Sequence, residues 1–173
     1  LRAFSAFFSR TKILATAKQA YDLAVDSDEP HAIGLARSSA GVAHFLYGRW
    51  GLASHFLTEA VRVFREECRG SVWERSTAET FLIAALAAQG EFKDLIRRIP
   101  ELLSDAIEKG NRYLATNVRT GYATLVWLCA DDPDSAIRHV DDAMTEWVSK
   151  HYSMQHYYAL LSRIHISLYQ NNP

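Results

Sequence analysis

The chain has 173 residues, 49% of them hydrophobic and 23% charged, and its 19 basic and 20 acidic residues leave a net charge of −1. That length and balance suit one globular domain or one short repeat array, large enough to bury a core without metal or disulfide support. A nucleic-acid binder ordinarily carries a basic excess or a basic run; neither is present, so no nucleic-acid partner is expected. The apolar stretch around Leu82–Ala88 falls far short of the ~20 residues that span a bilayer, and no signal-peptide pattern occurs, so no membrane partner is expected either. Cys68 and Cys129 lack CxxC spacing and lie in apolar helical patterns, which reads as two buried thiols in a reducing cytoplasm. The first residue is Leu1 rather than Met, so the expectation is a fragment of a longer polypeptide.

Strand signals are nearly absent, and helical periodicity recurs between Gly and Asp-Pro breaks. Eight helices are expected. The first runs from Phe4 to Val25 and ends at Asp28-Glu29-Pro30, where Pro30 suits the first turn of the second helix. That helix continues to Tyr47, and Gly48-Arg49-Trp50-Gly51 turns the chain. The third covers Leu52 to Cys68 and stops at Gly70. Ser71 and Glu74 have capping-box spacing at the start of the fourth, which ends at Gly90. The fifth covers Glu91 to Lys109, with Pro100 expected to kink or divide it. Gly110-Asn111 stops it and caps the sixth, which runs to Ala130. Asp132-Pro133 caps the seventh, which reaches Lys150, and Ser153 caps the eighth, which ends near Tyr169.

These elements repeat. Gly48 and Gly90 occupy equivalent turns 42 positions apart, and Asp131 follows 41 later. Ala53, Leu95 and Ala136 lie five positions beyond the turns, and Ala60, Leu102 and Ala143 a further seven, with Leu57, Ile99 and Val140 between. Small residues at Ala53, Ala60, Ala136 and Ala143 allow close approach of two helices. A helix pair of this kind buries its apolar faces against neighbouring pairs.

Gly41, Gly48, Ala53, Leu57 and Ala60 match the spacing of the tetratricopeptide (TPR) signature, and the chain resembles that class with a longer period and longer helices. The implied fold is all-α: a single domain over 1–173, a right-handed αα superhelix of about eight helices. A narrower resemblance rests on His31–Arg37, Gly48-Arg49-Trp50, Phe64–Cys68, Trp73-Glu74, Arg97–Pro100, Ala115–Gly121, Trp127–Pro133 and Gln155–Tyr157. In this order the strings are similar to the C-terminal helical-repeat region of large bacterial serine/threonine protein kinases, where a kinase domain and an ATPase-like region precede it. The resemblance implies a regulatory or scaffolding region, and it brings no kinase activity to this chain.

Motifs of chemistry are missing. There is no Gly-rich phosphate loop, H-R-D or D-F-G, no Walker A cradle, no H-E-x-x-H, no paired CxxC and no EF-hand loop. No catalytic residue, cofactor or metal is therefore assigned. His55 and Glu59 stand at i and i+4, and a surface hydrogen-bonded pair is favoured over a metal site because no third ligand can be named. Trp50, Trp127 and Trp147 read as core or inter-repeat residues.

Trp73 begins a helix beside Glu74 and Arg75. In the repeat register this triplet aligns with Leu114, Ala115 and Thr116, and with Met154, Gln155 and His156; Asn117, Arg119 and Tyr157 lie within a turn of the row. First helices of TPR hairpins line the concave surface, so one reading is a polar rim where Arg75, Arg119, Asn117 and Gln155 hold a peptide or an acidic terminus. The other has Glu74 completing its capping box and Arg119 pairing within the stack. Inward positions Val42, Phe45, Ala84, Ala87, Ala88, Leu125 and Leu128 are mostly apolar, which suits a greasy groove, closed hairpins, or self-association. Three functions are weighed. The first is an interaction module binding a protein, a peptide or the parent's other domains. The second is a ligand-sensing helical-repeat domain of the kind attached to transcription regulators, which would show a closed pocket of several hundred cubic ångströms. A small helical enzyme is the third, for which no convergent set of titratable residues can be assembled.

Overall fold

The structure is a computed structural model that describes residues 10–149 and 151–172. The expected start of the first helix at Phe4 lies outside these residues; the seventh, expected to reach Lys150, already stops at Glu146, where Trp147 turns extended. Among the described residues the regular elements are all helical: α1 (Arg10–Ser27), α2 (Pro30–Leu46), α3 (Trp50–Glu66), α4 (Val72–Gln89), α5 (Phe92–Glu108), α6 (Arg112–Asn117), a 3₁₀ turn (Gly121–Thr124), α7 (Leu125–Cys129), α8 (Pro133–Glu146) and α9 (Met154–Tyr169). None is long and apolar enough to cross a membrane. The chain forms two compact units, Leu1–Ala85 and Leu86–Pro173.

In the first unit α1 packs on α2 and α2 on α3. The α2–α3 seam follows from side-chain size. α3 turns Ala53, Leu57, Ala60, Val61 and Phe64 inward, and α2 answers with Gly34 and Gly41. Gly34 and Gly41 are there because a Cβ at either would collide with Phe64 or Leu57. In the second unit α8 and α9 pair, and α5 packs against α6 and α7. Its core includes Leu128, Ala136, Val140, Ala159 and Ile166.

The repeated turn is visible in the backbone. Gly48 (φ 71°) and Gly90 (φ 78°) take the left-handed conformation, and Asp131 (φ 56°) takes it at the third site. Each turn closes with the same two bonds: Gly48 N–H to Phe45 O and Arg49 N–H to His44 O, Gly90 to Ala87 and Glu91 to Leu86, Asp131 to Leu128 and Asp132 to Trp127. Asn171 (φ 56°) repeats it after α9, with Asn171 N–H on Leu168 O and Asn172 N–H on Ser167 O. Asp and Asn are the non-glycine residues that best tolerate this region, which is how the turn survives without glycine. Beyond the turns, Ala53, Leu95 and Ala136 are wholly buried, as are Leu57, Ile99 and Val140.

Capping follows the sequence in three places. Asn111 accepts from Leu114 N–H and Asp132 from Ser135 N–H, while Ser153 and His156 form a reciprocal capping box. Hydrogen bonds from the Ser135 hydroxyl and backbone hold the Asp132 carboxyl below its ordinary range.

Four expectations are corrected. Ser71 and Glu74 do not form a capping box: the Ser71 hydroxyl is buried without a hydrogen-bond partner, and Glu74 Oε1 lies 3.2 Å from His31 Nε2 instead. Pro100 does not divide its helix; α5 runs through it, because Pro100 is on the exposed side, where water can bond the carbonyl it leaves unpaired. The expected sixth helix is not continuous. Thr120 is extended and Gly121 left-handed (φ 64°), and the Gly121 N–H donates to Ser162 Oγ on α9 rather than along a helix. Finally, the two cysteines are not both buried: Cys129 is exposed at the end of five-residue α7, and Cys68, beyond the end of α3, is only partly covered.

Candidate functional site

The rim residues belong to both units. In the first, Trp73 stands on the opening turn of α4 and is 63% exposed, next to exposed Val72. Glu74 is tied to His31, whose ring meets Phe64 edge-on at 6.0 Å. Arg75 is partly buried on the same turn.

The second unit uses most of its rim residues internally. Arg119 is 5% exposed, and its guanidinium donates to both carboxylate oxygens of Glu146 at 3.1 and 2.5 Å and to Ala115 O at 3.1 Å. That bidentate pair holds the Glu146 carboxyl below its ordinary range. Gln155 and Asn117 are buried and bonded to one another at 3.3 Å. His156 accepts at Nδ1 from Ser153 N–H, and its ring stacks on Tyr152. Only Tyr157 turns outward, 46% exposed. Asn117, Arg119 and Gln155 therefore fasten α6, α8 and α9 within their unit, while Trp73 in the first unit and Tyr157 in the second are exposed.

The fastening around the broken helix is equally polar. Ser162 Oγ accepts from Gly121 N–H and from Thr124 Oγ1, both at 2.7 Å, and itself donates to Tyr158 O at 3.0 Å. Tyr158 lies against Gly121, where a Cβ would sit 3.3 Å from its ring, and burial pushes its phenol up. His139 lies 4.1 Å from the Trp127 ring; burial first, then the Arg119 charge, lowers its pKa and favours a neutral imidazole. Trp147 is partly buried and donates to Ser153 Oγ at 3.2 Å, whereas Trp50 is exposed at the start of α3.

Two features escaped the sequence reading. One is an apolar stripe on α9: Met154, Tyr157, Leu160, Ile164 and Leu168 recur at helical spacing and are all about half exposed or more. The buried side of that helix is instead Gln155, Ala159, Ser162 and Ile166. The signal is the placement of small residues on one side and large ones on the other, the reverse of a simple amphipathic rule. Leu168 also lines a concavity of about 460 Å³ with Phe92, Leu125, Leu128 and His165. The other is a second concavity of about 400 Å³ between α1, α2 and α3.

His55 and Glu59 do not pair with each other: Glu59 accepts from Arg37 at 2.8 Å, and His55 meets Phe56 edge-on. Among the described residues no cluster of three metal-binding side chains occurs. No family model, curated protein or solved structure matches the chain.

Proposed function

We propose that this chain is a TPR-like helical-repeat module that binds protein and is not itself catalytic. It belongs to the C-terminal regulatory region of a bacterial signalling serine/threonine protein kinase, and its hairpins stack as a right-handed αα superhelix. The observation that carries the binding reading is the exposed α9 stripe. A contiguous row of five large apolar side chains on a helix is the mark of a protein-contact face. Tyr157 is the aromatic anchor of that face, and the occupant is another domain of the parent polypeptide. The recurring turn at Gly48, Gly90, Asp131 and Asn171 supports the hairpin repeat, and the ordered strings from His31 to Tyr157 support the parent. The reading is tested by placing glutamate at Leu160 and Ile164. Complex formation with the parent's remaining domains is lost while helicity is kept; unchanged binding sinks the assignment. A second reading, a ligand-sensing helical-repeat domain, is favoured by the concavity of about 400 Å³ in the first unit.

A further inference from the structure

The concavity between α1, α2 and α3 has a chemical character of its own. Its volume, about 400 Å³, falls in the ~300–1,000 Å³ range of small-molecule sites. Tyr21, Ala40 and Phe56 supply apolar wall. The His44 ring lies flat on Phe56, with centroids 5.4 Å apart and planes 6° from parallel. Its Nδ1 is buried and has no hydrogen-bond partner.

The charged groups at the site are both cations, Lys18 and Arg49. Lys18 pairs with Asp22 at 2.5 Å on the exposed side of α1. Arg49 has no carboxylate partner among the described residues, and its backbone N–H is fixed on His44 O at 2.9 Å by the left-handed turn at Gly48. Burial, and then the positive charge of Arg49, keeps the His44 imidazole neutral. One guanidinium without a carboxylate partner among the described residues, one neutral imidazole ring and an apolar wall thus meet in one cavity.

We propose that this site binds a small organic monoanion, an aryl or alkyl carboxylate, with its apolar body on Tyr21, Ala40, Phe56 and the neutral His44 ring and its carboxylate toward Arg49. The apolar wall accounts for the body of the ligand. Arg49, without a carboxylate partner among the described residues, accounts for its charge. This rests on the ligand-sensing reading and supplies its ligand class.

The test is a backbone-amide NMR titration of the full chain with phenylacetate, and with phenethyl alcohol as its uncharged counterpart. Phenylacetate is expected to give saturable shifts at Ala40, His44, Arg49 and Phe56, and to bind at least about fivefold more tightly than the alcohol. Arg49→Gln, at an exposed position, is expected to remove that preference and leave alcohol binding unchanged, with the rest of the spectrum intact. Equal binding of acid and alcohol, or an unaltered preference in Arg49→Gln, overturns the anion assignment alone. No saturable binding by either probe overturns the ligand-sensing reading with it.

Discussion

Gly41→Ala probes the α2–α3 seam through a sign. The new Cβ would stand 2.5 Å from Leu57 Cγ, 2.9 Å from its Cδ2 and 3.3 Å from Ala53 O. Carbon pairs rest at ~3.5–4.0 Å, so Leu57 must retreat by roughly 1 Å. Leu57 is wholly buried, and Cγ is the branch point of its side chain rather than a flexible tip. Overpacking of this kind costs about 1–3 kcal/mol, and an overlap this large belongs in the upper half of that range. Replacing glycine by alanine in a helix returns only about 1 kcal/mol. The net expectation is a loss of about 1–2 kcal/mol, read by urea unfolding with far-UV circular dichroism. Leu57→Ala alone loses about 2–5 kcal/mol. On that background Gly41→Ala fills vacated space and becomes neutral or stabilising, for a coupling of about 2 kcal/mol. Stabilisation by Gly41→Ala in the native background would refute the close approach of α2 and α3.

Ser162→Ala leaves the Gly121 N–H and the buried Thr124 hydroxyl without this acceptor, and is expected to lose about 1–3 kcal/mol with faster amide exchange at Gly121; a change under about 0.5 kcal/mol would contradict the role given to Ser162. Glu146→Gln is expected to lose about 1 kcal/mol near neutrality, a figure kept small because the carboxylate is half exposed. The folded Glu146 pKa is depressed, so its contribution is present above the unfolded value of ~4.3 and is lost as pH falls through the lower folded value. The wild-type advantage therefore narrows below pH ~4, and a gap independent of pH in urea titrations would count against the pair.

Helices, turns and most caps were legible because they depend on local chemistry. The register joining Gly48, Gly90 and Asp131 located equivalent left-handed turns although the third residue is not glycine. Pro100 misled, since sequence does not show on which side of a helix a proline falls. The break at Thr120–Gly121 also escaped, because its cause is a hydroxyl 41 positions away at Ser162. Arg119, Asn117 and Gln155 looked like recognition residues for the same reason: their partners, Glu146 and one another, are set by packing within the second unit. Glu74 went to His31 rather than to its own helix start. The α9 stripe was readable in principle, but a large apolar residue is assigned to the core unless the small residues opposite it are known to be buried.

The protein-binding reading meets its most direct test in the affinity of the chain for the remaining domains of the proposed parent kinase, measured by isothermal titration before and after Leu160→Glu/Ile164→Glu. Both side chains are about half exposed, at 52% and 47%, so the change should leave the chain's own unfolding midpoint nearly fixed. Each contributes roughly 1 kcal/mol when the stripe is covered, and a buried glutamate adds a penalty, so affinity should fall at least about thirtyfold. Equal affinity for the two forms would contradict the reading and leave the α9 stripe without a partner.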